Sequence, residues 1–147
     1  MRKLEMNRKR KIKQFALDTN VFIYFFENNV ELGQKAKAIF EGLSQNQLKA
    51  VTNITSLAEL LSSPKLTGQA VRETKKLFLS VPNLEIYGLD ESIAIKSAEI
   101  RREYGFRLLD AIQLATALIA KTQAFITNDH RLKSFKQLKI ISLSDLA

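Results

Sequence analysis

Short apolar stretches alternate along this chain with longer segments whose apolar positions return every three or four residues. Residues 12–17 read as a strand that runs straight into Asp18. Residues 21–26 (Val-Phe-Ile-Tyr-Phe-Phe) are apolar on every side, which suits a buried helix start as well as a strand. Leu32, Ala36, Ile39, Phe40 and Leu43 recur at helical spacing and predict an amphipathic helix over 32–45. Residues 49–53 form a brief strand candidate with β-branched Val51 and Thr52. A helix begins at Ser56, and Pro64 disfavours helical geometry at Ser63, so that helix ends or bends there. Residues 67–80 put Ala70, Val71, Leu77 and Phe78 on one helical face, and 84–89 read as a strand. Asp90 or Ser92 caps a helix running to Tyr104, with Gly105 as its stop. Residues 108–121 are helical and apolar nearly all round, hence central. Residues 124–127 are a strand, 129–135 a short helix and 140–142 a last strand.

Strands therefore alternate with helices throughout. That pattern predicts an α/β domain: three layers, with a mainly parallel central sheet flanked by helices. In such sheets ligands bind outside the carboxyl ends of the strands. Residues just after a strand, or at the start of the next helix, are where chemistry is expected.

Composition narrows the class. The chain has 147 residues, which suits one domain, and its 46% hydrophobic content is that of a globular protein. With no Cys there is no disulfide framework, thiolate zinc site or cysteine nucleophile, and a reducing, cytoplasmic home is expected. The longest fully apolar run, 21–26, is far below the ~18–20 residues that cross a bilayer, so no membrane role is expected. Asp18 interrupts the apolar region behind the basic N-terminus and no small-residue cleavage site follows, which argues against a signal peptide. The formal net charge is +8. Residues 1–13 hold Arg2, Lys3, Arg8, Lys9, Arg10, Lys11 and Lys13 against Glu5 alone, so most of the surplus sits there. The chain divides into a basic arm, 1–12, and a domain, 13–147; the arm either contacts phosphates or is a solvated tail.

Four acids stand in apolar company. Asp18 lies between Phe15-Ala16-Leu17 and Val21-Phe22, Glu59 between Ala58 and Leu60, Asp110 between Leu109 and Ala111, and Asp129 after Phe125-Ile126-Thr127-Asn128. Each has an ordinary reading. Ser56-Leu57-Ala58-Glu59 is a capping-box pattern, Asp110 near a helix start favours the dipole, and Asp18 and Asp129 suit N-caps. Together they read differently. Carboxylates that converge in a partly desolvated cleft either take up protons or bind a cation. Oxygen-only ligands favour Mg²⁺ or Mn²⁺ over zinc. Such an ion at the end of an α/β sheet suits phosphodiester chemistry, and a basic surplus suits a polyanionic substrate.

These residues also carry a resemblance. Leu17-Asp18-Thr19-Asn20-Val21-Phe22-Ile23, Ser56-Leu57-Ala58-Glu59-Leu60, Leu109-Asp110-Ala111-Ile112-Gln113-Leu114-Ala115-Thr116-Ala117 and Ile126-Thr127-Asn128-Asp129 resemble, in order and spacing, the motifs of PIN-domain ribonucleases. The chain is most similar to the VapC-type toxins of toxin–antitoxin pairs, over about residues 13–143. The resemblance implies a PIN-like fold and a Mg²⁺- or Mn²⁺-dependent endoribonuclease acting on RNA, with a cognate antitoxin and a homodimer. It implies that Asp18, Glu59, Asp110 and Asp129 form the catalytic, metal-holding quartet. Asp18 and Asp110 would be the principal ligands. Glu59 would bind the metal or help deprotonate the attacking water, and Asp129 would complete the site. Asn20, Thr127 and Asn128 are candidates to orient the carboxylates, whereas Thr19 reads as turn and capping chemistry. Many such toxins begin their first strand almost at the initiator Met; the basic arm here departs from that. His130 reads as an exposed helix residue. The Phe-rich run is expected to be mostly core, with one flank open to a partner segment lying in a groove.

Other carboxylate-based α/β families fit less well. Haloacid-dehalogenase-like phosphatases need Asp-x-Asp after the first strand, and Asn20 stands in the third position. Response-regulator receivers need an acidic pair before that strand's Asp, and none is present. The remaining alternatives are a non-cleaving PIN-like module that binds RNA or protein, and an RNA-processing nuclease that is not a toxin.

Overall fold

The computed structural model describes residues 12–146, so the predicted basic arm lies, apart from Ile12, outside the described residues. Five strands, β1 (Lys13–Leu17), β2 (Leu48–Asn53), β3 (Leu84–Tyr87), β4 (Ala124–Thr127) and β5 (Ile140–Ser142), form one sheet in the order β3-β2-β1-β4-β5. Every pairing is parallel: Ala16 lies opposite Val51 on one side and Phe125 on the other. The chain winds outward from β1 to β3, then returns to lay β4 and β5 on the opposite side. The order thus reverses between β1 and β4, and the carboxyl ends of the strands there are where such sheets bind ligands.

Among the described residues six α-helices cover the two faces: α1 (Thr19–Phe26), α2 (Gly33–Ser44), α3 (Thr55–Leu61), α4 (Gly68–Leu79), α5 (Glu91–Tyr104) and α6 (Leu108–Ile119). The period of two in the strands divides the core. Ala16 and Phe125 face a layer built on Ile93, Ile100, Ile112 and Leu114 of α5 and α6. Leu17 and Ile126 face the other layer, with Val21, Phe22, Ile39, Phe40 and Phe78. Phe22 is fully buried and meets the rings of Phe40 and Phe78 at 5.5 and 5.1 Å. The apolar run at 21–26 is therefore helix, not strand, and its far end stays half-buried at Phe25 and Phe26.

Local signals explain most element ends. The Asp90 carboxylate accepts from the Ile93 N–H at 2.9 Å and caps α5. Gly105 stops that helix with φ at 74°, a conformation open to glycine. Two expectations shift. Helix α3 starts at Thr55, so Ser56 lies inside its first turn and its hydroxyl turns into the core rather than capping the backbone. In α4 only Phe78 of the predicted face is buried, and Leu77 is 52% exposed. No described helix is long and apolar enough to cross a membrane.

Candidate active site

Asp18 follows β1 directly, at the point where the strand order reverses. It is 5% exposed and caps α1, with Oδ1 accepting from the Thr19 N–H at 2.8 Å. Its other oxygen accepts the Thr127 hydroxyl at 2.7 Å and the Asn20 amide at 3.4 Å. Burial pushes its carboxyl up to about 6; the bonds from Thr127 and Thr19 oppose this, and the negative charges of Asp110 and Glu59 add to it. The N-cap reading of Asp18 is thus correct but incomplete. A solvated cap would not be driven toward its neutral form.

The other acids join through shared hydroxyls and two arginines. Thr19 donates its hydroxyl to Glu59 Oε1 at 2.8 Å and lies 2.9 Å from the Ser56 hydroxyl, so Glu59 reaches the site from the first turns of α3. Thr127 ends β4, and its oxygen accepts from the Asp129 N–H at 3.0 Å and the Asn20 amide at 3.3 Å. Asp129 caps the short 3-10 turn His130–Ser134. Its carboxyl is held below the usual range, first by the Arg131 guanidinium bonded to it. Asp110, in the first turn of α6 and 5% exposed, receives a fork from Arg107: Nε to Oδ2 at 3.0 Å and Nη2 to Oδ1 at 3.3 Å. Arg131 Nη2 also lies 3.6 Å from Asp110 Oδ2.

All four acids therefore sit at the carboxyl end of the sheet, linked as Glu59–Thr19–Asp18–Thr127–Asp129–Arg131–Asp110. Asn20 and Thr127 touch Asp18, and the Asn128 N–H bonds Asn20 Oδ1 at 3.3 Å. Thr19 does more than capping, because its hydroxyl holds Glu59. His130 is exposed. Sequence reasoning missed Arg107, Arg131, Ser56 and Gln113. The last is 2% exposed on α6 and spans the layers beneath the site. Its Nε2 donates to Ser56 Oγ at 2.6 Å, and its Oε1 accepts from the Thr52 hydroxyl at 3.3 Å and the Asn53 N–H at 3.4 Å. A long amide inside an otherwise apolar helix was the available signal.

Do these residues fit a divalent cation? Among the described residues no three acids or histidines gather closely enough to hold one as they stand. Both oxygens of Asp110 and both of Asp129 are turned onto guanidinium groups. Donor chemistry fits nonetheless. The groups are hard oxygens, and the buried Asp18 carboxyl feels the charges of both Asp110 and Glu59. The buried Oδ1 of Asn128 also lacks a partner among the described residues.

A comparison with protein families matches residues 15–138 to the PIN domain. No curated protein matches the chain in sequence. Among solved structures, it is similar to VapBC2 from Rickettsia felis bound to a DNA fragment from its promoter, with 20% identity and a TM-score of 0.69. That match covers 88% of this chain and 98% of the other. It is similar to a toxin–antitoxin complex from Klebsiella pneumoniae, with 20% identity, a TM-score of 0.67 and coverage of 89% and 98%. DNA-bound VapBC from Salmonella typhimurium gives 19%, 0.67, 89% and 98%. At these identities the likeness is one of fold.

Proposed function

The chain belongs to the PIN-domain family, and on that premise we propose that it is a Mg²⁺- or Mn²⁺-dependent endoribonuclease, the toxin of a toxin–antitoxin pair. The observation that carries the reading is Asp18: a buried carboxylate at the reversal of strand order, tied through hydroxyls to Glu59 and Asp129 and pushed toward its neutral form. Asp18 and Asp110 would be the principal ligands, with Glu59 and Asp129 completing the set. When bound, the cation supplies Lewis acidity toward the phosphate and toward the attacking water. Thr127 and Asn20 fix the Asp18 carboxylate, so its orientation is set before anything binds. Thr19 occupies Glu59 Oε1, which leaves Oε2 to accept the proton of the attacking water.

The partner reading rests on similarity to toxin–antitoxin complexes and on a groove. Phe25, Phe26, Phe40, Leu77 and Val81 line an open apolar channel between α1, α2 and α4, suited to a helical segment of an antitoxin. The homodimer reading finds support in exposed Ile95 and Ile119 beside a shallow channel between α5 and α6.

The arginine pairs on Asp110 and Asp129 favour a second reading, a PIN-like module that binds without cutting. One experiment separates the two. Single-stranded RNA is incubated with the purified chain in Mn²⁺, in Mn²⁺ plus excess EDTA, and with Asp18→Asn. We expect cleavage only in the first. Binding without cleavage by the unaltered chain in Mn²⁺ or Mg²⁺ would establish the second reading.

A further inference from the structure

The two arginines at the acid cluster are not where a hidden ligand set would need them. Arg131 follows β4 in the 3-10 turn, and its guanidinium grips both oxygens of Asp129, with Nε at 3.0 and 3.2 Å and Nη2 closer still. The same Nη2 reaches Asp110 Oδ2 at 3.6 Å. Burial is lopsided: the Asp110 and Asp129 side chains are 7% and 19% exposed, whereas that of Arg131 is 61% exposed. The acids are inside and the cation lies over them from the solvent side. Arg131 cannot lose its proton, so it carries this charge at every working pH.

Two properties follow. Exposed ion pairs are weak and their side chains re-orient cheaply. Yet these pairs occupy carboxylate oxygens that a hard divalent ion would need. We propose that Arg131 is a built-in, displaceable counter-cation: it neutralises Asp129 and shares Asp110 with Arg107 in the metal-free protein, and it must release Asp129 before a divalent cation binds there. Released, the guanidinium stays at the mouth of the crevice, where its fork matches the phosphates of an arriving polyanion. One positioning residue thus serves the empty site and the loaded one. The inference rests on the metal-dependent reading above.

The test is Arg131→Gln, which keeps polarity but removes the charge. Mn²⁺ is titrated calorimetrically into metal-stripped full-length protein and variant at neutral pH. Because the competing ion pair is exposed, the variant should bind Mn²⁺ up to about fivefold more tightly. Arg131→Lys, which keeps the charge without the fork, should fall between them. At saturating Mn²⁺, KM for single-stranded RNA should rise in Arg131→Gln with a smaller change in kcat. A residue that only braces the turn would weaken Mn²⁺ binding when replaced. Equal or weaker Mn²⁺ affinity in Arg131→Gln, with clear binding by the unaltered protein, overturns the counter-cation role alone. An unchanged KM overturns its role toward substrate. Absence of Mn²⁺ binding in every sample overturns both this role and the metal-dependent reading.

Discussion

Asp18 contributes to stability in the opposite sense from most native carboxylates. Its carboxyl is raised from 3.8 to about 6, so between those values the folded chain holds a proton that the unfolded chain has lost. Stability from this group is therefore greatest below about 4 and falls as pH rises through about 6, by on the order of 3 kcal/mol. Asp129 and Asp90 have lowered values and act below that window, so they do not cancel it. Asp18→Asn should melt higher than the unaltered metal-free chain at pH 7, and its melting temperature should change less between pH 4 and 6. Thermal denaturation across that range checks this; a variant that melts lower at pH 7 would contradict it. Asp18 was legible in the sequence because an acid flanked by Phe15, Ala16, Leu17, Val21 and Phe22 is out of place. Arg107 and Arg131 were not, since an arginine beside a helix or turn start looks like any surface charge. Only the fold reveals that both lean over buried acids.

At the scale of elements, α6 ties the site to the sheet. It is apolar nearly all round and buried from Asp110 to Ala117, yet it carries Gln113 inward. Gln113 bonds Ser56, and Ser56 meets Thr19, which holds Glu59, so one amide on α6 fixes a carboxylate on α3. Gln113→Met keeps the volume but strips partners from buried Ser56, Thr52 and the Asn53 N–H. We expect a loss of about 1–3 kcal/mol in urea denaturation, the usual cost of orphaned buried polar groups. Cleavage should fall with it, because Glu59 loses the support behind Thr19. Stability and cleavage both unchanged would show that the relay holds nothing in place. Periodicity and caps marked most elements, including the ends of α5 at Asp90 and Gly105. Ser56 misled because Ser-x-x-Glu satisfies a capping box on paper, while buried hydroxyls across the crevice offer its side chain other partners. Leu77 misled because helical periodicity gives a face but not what covers it.

For the whole molecule, strand order matters most. The alternation of strands and helices specified a parallel α/β sheet, but it could not say that β1 lies between β2 and β4. That placement brings Asp18 and Asp129 together although 111 positions separate them in sequence, with Thr127 bridging the two. The helices then supply Glu59 and Asp110 from opposite layers. On the proposed reading this crevice is a divalent-cation site over which Arg131 lies when no cation is bound. Anomalous diffraction from crystals soaked in Mn²⁺ tests it most directly. The expected result is a peak about 2.1 Å from an Asp18 oxygen, as Mn²⁺-sized ions require of carboxylates, with the Arg131 guanidinium withdrawn from Asp129. A crevice without a peak at saturating Mn²⁺, with Arg131 still on both oxygens of Asp129, would contradict it.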